Sequence, residues 1–186
     1  MVPAFARRKS AVAVRLLLAV AGLLLASTTS TWAQRKPIEP PFGLHWGESS
    51  STIERLLKGA KADIVERNTI QGREAWTVEG LIQASLKRTV FYFKDSGLVE
   101  IELQYEDPDW TSTKYNDFMA AVRRKIESKY GTGQLIARQK TPTGGILQTL
   151  VGYKWEQGDT AIQLIYFSAE NSNFNYRSVS VHYKGY

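Results

Sequence analysis

The chain has 186 residues, with 24 Lys and Arg against 18 Asp and Glu, two His and no Cys. Without cysteine there are no disulfides, thiol nucleophiles, iron–sulfur clusters or Cys-type zinc sites. Four of the 24 basic residues (Arg7, Arg8, Lys9, Arg15) lie in residues 1–33, which hold no acid, so the remainder carries 20 against 18, or +2, and lacks the concentrated charge of a nucleic-acid binder.

The chain opens on a basic head, then the unbroken apolar run Leu16 to Ala26, then a short polar stretch ending Thr31-Trp32-Ala33. That order predicts a secretory signal peptide over 1–33 with cleavage after Ala33, and hence a periplasmic or extracellular protein. The run is too short for a spanning helix, which needs ~20 residues, so the cleaved chain is expected not to span a membrane. Residues 34–41 hold three prolines and predict a flexible lead-in. Residues 42–186 are long enough to bury a self-supporting core as one domain.

Ser51 with Glu54 three residues later forms a capping box. The helix that follows places Ile53, Leu56 and Leu57 on one face and ends at Gly59. Strands are expected over 62–68, 73–78 and 81–93. Lys94-Asp95-Ser96-Gly97 reads as a three-residue hairpin loop closed by a left-handed Gly97, with a return strand over 98–106. In that strand Val99, Ile101, Leu103 and Tyr105 alternate with Glu100, Glu102, Gln104 and Glu106. The register sets Phe93 opposite Val99 and Phe91 opposite Ile101, with Tyr92 beside Glu100 on the outer face. A longer helix, capped near Thr113 and ended by Gly131, carries Tyr115, Phe118, Met119, Val122, Ile126 and Tyr130 on its apolar face. Its run Arg123-Arg124-Lys125 with Lys129 is read as a solvated face rather than a nucleic-acid contact. Strands are expected over 147–155, after a turn at 141–145, then over 160–167 and 176–184, with 134–140 opening the group.

The fold class is therefore α+β. Two helix-then-antiparallel-strands units, 43–106 and 113–184, are expected to lay both helices on one face of a twisted antiparallel sheet, and a duplication is suggested. The other face is left for solvent or a partner.

Chemistry-bearing patterns are few. The sequence has no nucleophile elbow, P-loop, dinucleotide fingerprint or calcium loop. Ser49, Ser50 and Ser51 beside His45 are explained by helix capping. His45 and His182 form no metal-ligand pair, so neither metal nor cofactor is expected. Glu100 and Glu102 sit ~7 Å apart on one strand face, a separation suited to an envelope hydrolase, but glutamates on an open face stay solvated and lack the raised pKa of a catalytic acid. Trp110 follows Asp107-Pro108-Asp109. It is either an exposed anchor for a partner or glycan, or a cap packed over the helix start. The candidate binding residues are Tyr92, Glu100, Glu102, Trp110 and His182. The reading they support is a non-catalytic binding domain for an envelope protein or polymer. Its alternatives are the hydrolase and a small-ligand carrier with an aromatic pocket.

The segment Trp46-Gly47-Glu48-Ser49-Ser50-Ser51-Thr52-Ile53-Glu54-Arg55-Leu56-Leu57-Lys58-Gly59 resembles the helix start of small exported bacterial proteins of the SmpA outer-membrane-assembly type, and of β-lactamase-inhibitor-protein-like domains. Gly47, Ser49, Ile53, Leu57 and Gly59 carry the resemblance. It implies a protein-binding rather than catalytic domain. The lipid-bearing Cys of the assembly proteins has no counterpart here.

Overall fold

The computed structural model describes residues 37–186; the leader expected over 1–33, and residues 34–36, lie outside the described residues. A short turn at Pro41–Gly43 precedes helix α1 (Ser50–Gly59) and strands β1 (Asp63–Ile70), β2 (Arg73–Glu79), β3 (Leu86–Lys94) and β4 (Gly97–Tyr105). Helix α2 (Ser112–Tyr130) then leads into β5 (Gln134–Thr143), β6 (Ile146–Gln157), β7 (Thr160–Glu170) and β8 (Asn175–Gly185). All eight strands form one sheet in the order β1-β2-β3-β4-β8-β7-β6-β5, antiparallel at every pairing. The α+β class is thus correct, with sheet predominating. Among the described residues no helix is long and apolar enough to cross a membrane.

The cap of α1 differs from the expected one. Ser49, not Ser51, is the N-cap, its hydroxyl accepting from the Thr52 amide at 3.3 Å. Ser49 has the extended backbone a cap requires, whereas Ser51 is already helical. Glu54 pairs instead with Arg67 at 2.5 Å. Ile53 and Leu57 are buried and Leu56 is exposed, because a stripe of two residues four apart is all that a ten-residue helix buries here.

α2 follows its expected face. Tyr115, Met119, Ile126 and Tyr130 are buried, while Phe118 and Val122 pack against the same cluster. Its cap is Thr111, accepting from the Lys114 amide at 3.2 Å, two residues before the expected Thr113. Side chains of both helices join one buried cluster with Phe91, Ile101, Leu164 and Val181 of the sheet. The proline-rich segment contributes to it too: Ile38 is 1% exposed, and its carbonyl accepts from Trp46 Nε1 at 3.2 Å.

Two tryptophans of this face need glycine beneath them. A Cβ on Gly185 would meet the Trp46 ring at 2.6 Å, and one on Gly133 would meet the Trp155 ring at 2.5 Å. Neither position accepts a side chain without moving an indole.

The β3–β4 hairpin corrects three expectations. Its loop has two residues, Asp95 (φ 50°) and Ser96 (φ 63°), with Lys94 paired to Gly97. Two successive left-handed residues match the right-handed twist of the strands, so the turn forms at Asp-Ser rather than at Gly97. The shorter loop sets Phe93 opposite Leu98, and Val99 becomes the bulged residue between the Phe93–Leu98 and Tyr92–Glu100 pairs. Val99 therefore packs outward against Ala75, Val90 and Tyr92, not inward with Ile101. β3 begins at Leu86 rather than Leu81, after a turn in which Ser85 takes φ 60°. The β5–β6 turn narrows to Gly144-Gly145, with Thr141 to Thr143 inside β5.

Candidate functional site

The face of the sheet opposite both helices carries the chemistry. Alternation on β4 sends Glu100, Glu102 and Gln104 to it. The same period on β8 sends Tyr176, Ser178, Ser180, His182 and Lys184 there, because β4 and β8 pair Glu100 with Lys184 and Glu102 with His182. β3 adds Arg88 and Tyr92, and β2 adds Arg73.

Glu100 is the centre of the cluster and only 4% exposed. Arg73 Nη1 donates to its Oε2 at 2.5 Å, and His182 Nδ1 and Lys184 Nζ lie 2.9 and 3.6 Å from its Oε1. Burial opposes ionisation of this carboxyl. The hydrogen bonds from His182 and Arg73, and then the Lys184 charge, outweigh it and hold the pKa at about 2. Expected as a solvated glutamate on an open face, Glu100 is instead a buried, fully engaged anion.

Because ionised Glu100 can only accept, the proton between the two residues sits on His182 Nδ1. In neutral His182 the other nitrogen, Nε2, then accepts from Ser180 Oγ at 3.0 Å. Glu102 lies 3.7 Å from the same Nε2. Its carboxylate accepts from Tyr92 Oη at 2.9 Å and from Gln104 Nε2 at 2.7 Å, and Gln104 Oε1 in turn accepts from Arg88 Nε at 2.6 Å. Burial, and then the Glu102 carboxylate, push the Tyr92 phenol well above its ordinary value, so it remains a donor. Arg73 also stacks over the Tyr92 ring, 4.7 Å from its centroid.

Ser180, His182 and Glu100 have the connectivity of a nucleophile, a base and its orienting acid. Two features separate them from such a triad. Arg73 and Lys184 already neutralise Glu100. Ser180 sits in an interior strand between Gln104 and Ile165, so its N–H is committed to the ladder and is not free to receive an oxyanion. The arrangement fixes side-chain positions. Among the described residues no group of three or more His, Cys, Asp or Glu is arranged to hold a metal ion.

Beside this cluster lies a hollow of about 340 Å³, lined by Glu66, Arg88, Tyr92, Glu102, Glu106 and Tyr176 among others. Three carboxylates face one guanidinium there. On β5 to β7 the outer face holds an apolar strip between polar ends, Gln148 at one and Lys154 opposite Gln163 at the other. Leu150 pairs with Phe167, Gly152 with Ile165, and Ile136 lies across Gly152, its Cγ1 3.1 Å from where a Cβ would be. Ile136 is 44% exposed.

Of the five sequence candidates, the structure brings Tyr92, Glu100, Glu102 and His182 together. Trp110 is elsewhere, packed over the start of α2 with its ring 5.2 Å from Tyr115 and 5.0 Å from Phe118. Arg73, Lys184 and Ser180 were missed. Arg73 opens β2, 27 residues before Glu100, and only the β4–β8 pairing shows what Ser180 and Lys184 meet. The basic run on α2 is in part internally engaged: Arg123 pairs with Glu127 at 2.9 Å and stacks on Tyr153.

Comparison of the chain with protein-family profiles, with curated proteins and with solved structures gave no match.

Proposed function

We propose that this chain is an exported, non-catalytic binding domain of the bacterial cell envelope that holds a protein partner against the outer face of its sheet. The observation that carries the reading is the side-by-side placement of a pre-ordered ionic cluster around Glu100 and an apolar strip in which Ile136 is exposed and Leu150, Ile165 and Phe167 are half-buried. Protein interfaces combine those two parts: apolar area supplies affinity, and fixed charge supplies orientation and selectivity. An envelope polymer would make less use of the apolar strip. The acidic hollow by Glu66, Glu102 and Glu106 suits a basic side chain of the partner. The order helix, four strands, helix, four strands is, on this reading, one plan used twice and joined at β4 and β8. The resemblance around Gly47, Ser49 and Leu57 points to the same class of domain.

The hydrolase alternative needs a carboxyl protonated near neutral pH. Glu100, held at about 2, is the opposite.

The test is affinity capture from envelope extract with the full chain and with Glu102→Lys and Ile165→Asp variants. The expected result is one protein captured by the native chain and lost from both variants. Capture that both variants retain, or turnover of a peptidoglycan or ester substrate abolished by Glu102→Gln, overturns the proposal.

A further inference from the structure

A second concavity lies on the opposite face, between α2 and the core side of β4 and β8. Its volume is about 550 Å³, within the ~300–1,000 Å³ typical of small-molecule sites. Its floor is Leu103 and Tyr105 of β4 with Val181 and Tyr183 of β8, and its wall is the α2 stripe Phe118, Val122 and Ile126. Glu39 to Phe42 and the loop residues Gln83 and Ala84 form the mouth. Such a body accepts a hydrocarbon chain or ring system.

Two observations give the occupant its chemistry. Lys125 and Lys129, one turn apart and exposed on α2, line the rim, with Lys129 Nζ 4.9 Å from the Tyr130 ring centroid. Tyr105 is 4% exposed, and its hydroxyl oxygen accepts from Gln83 Nε2 at 2.6 Å, which leaves its own proton available to an acceptor inside the cavity. Burial pushes that phenol up to about 12, so the proton stays in place. Burial likewise raises the Tyr183 phenol.

The mouth is also built unlike a closed core. Ile82, next to Gln83, is wholly exposed, and Phe42 is half-exposed with φ 65°. That left-handed conformation is costly for an aromatic residue and persists only where surrounding structure enforces it. Apolar side chains at an opening, ahead of an apolar interior and below two cations, are suited to an amphiphile rather than to a protein surface.

We infer that this cavity binds an elongated amphiphilic carboxylate of the fatty-acid class. Its chain lies along Phe118, Val122 and Tyr183, and its head sits between Lys125 and Lys129. This site is separate from the outer-face reading and does not depend on it.

The test uses the purified full chain, 1-anilinonaphthalene-8-sulfonate as reporter and dodecanoate below its micellar concentration as competitor. The expected result is saturable reporter fluorescence displaced by dodecanoate but not by dodecyltrimethylammonium. Lys125→Ala with Lys129→Ala should weaken dodecanoate about tenfold, a loss reduced by salt, while sparing 1-dodecanol. Val122→Trp, which fills the cavity, should abolish binding of both. Glu102→Lys, on the other face, should leave binding intact and excludes a general effect of charge. No saturable reporter signal overturns the inference. So does dodecanoate binding that survives Val122→Trp in a variant with native circular dichroism and Tm, or dodecyltrimethylammonium competing as well as dodecanoate.

Discussion

The two halves of the outer sheet face handle exposure in opposite ways. Around β3, β4 and β8, charged groups are gathered and almost every polar atom has a partner, with Glu100 surrounded by Arg73, His182 and Lys184. Around β5 to β7 the same face carries a half-buried apolar strip, with Ile136 exposed over Gly152, between polar ends at Gln148 and at Lys154 opposite Gln163. The first half is rigid because a buried anion and its cations hold each other in place. The second half has no buried anion, and its apolar side chains keep part of their surface open. Stability and binding are therefore expected to separate along this line.

The largest break should come from Glu100→Ala. It strands Arg73, His182 and Lys184 around a buried vacancy, and urea denaturation should show a loss of about 3 kcal/mol, the lower end for breaking a buried pair because the cations can still reach water. A loss below about 1 kcal/mol would mean the cluster is ornamental to the fold.

Acid should do the same more gradually. The Glu100 carboxyl falls from an ordinary 4.5 to about 2 on folding, so its contribution is complete above pH 4.5 and disappears as pH drops toward 2. Urea midpoints across that window should fall by the equivalent of about 2–3 kcal/mol, and Glu100→Gln should flatten this part of the profile.

Tyr92→Phe removes one hydrogen bond to Glu102 and should cost about 1 kcal/mol by the same measurement. Smallest in stability, and largest in partner capture, should be Ile136→Asp. Its Tm and urea midpoint should stay within about 0.5 kcal/mol of native while the captured protein is lost. A strongly destabilised Ile136→Asp would show that the apolar half belongs to the core and would dissolve the contrast.

How much of this was legible depended on how locally each feature is determined. The apolar face of α2 could be read directly, since the 3.6-residue period of Tyr115, Met119, Ile126 and Tyr130 lies within one element. The neighbourhood of Tyr92 and Glu100 was also readable, because a hairpin fixes it. The turn itself was misread. Gly97 is the obvious left-handed residue, yet the strand twist selects Asp95 and Ser96, and the displaced residue emerges as the Val99 bulge. The burial of Glu100 was out of reach. Its partners Arg73 and His182 lie 27 and 82 residues away along the chain, and nothing in either segment specifies that β8 inserts between β4 and β7. Leu56 failed for a simpler reason: α1 touches the sheet along too narrow a strip to cover a third apolar residue.

That insertion of β8 also governs when the molecule can become whole. The sheet is continuous only through this strand, the last of the eight to appear along the chain, which must find β4 on one side and β7 on the other. The early strands can pair with their neighbours as they emerge, but His182 and Lys184 reach Glu100 only once residues 175–185 have docked. Contacts that close loops of this length form slowly. Until then a half-neutralised carboxylate and two raw strand edges stand open, and this is the interval in which the polypeptide is most exposed to proteases and to mispairing with its own copies.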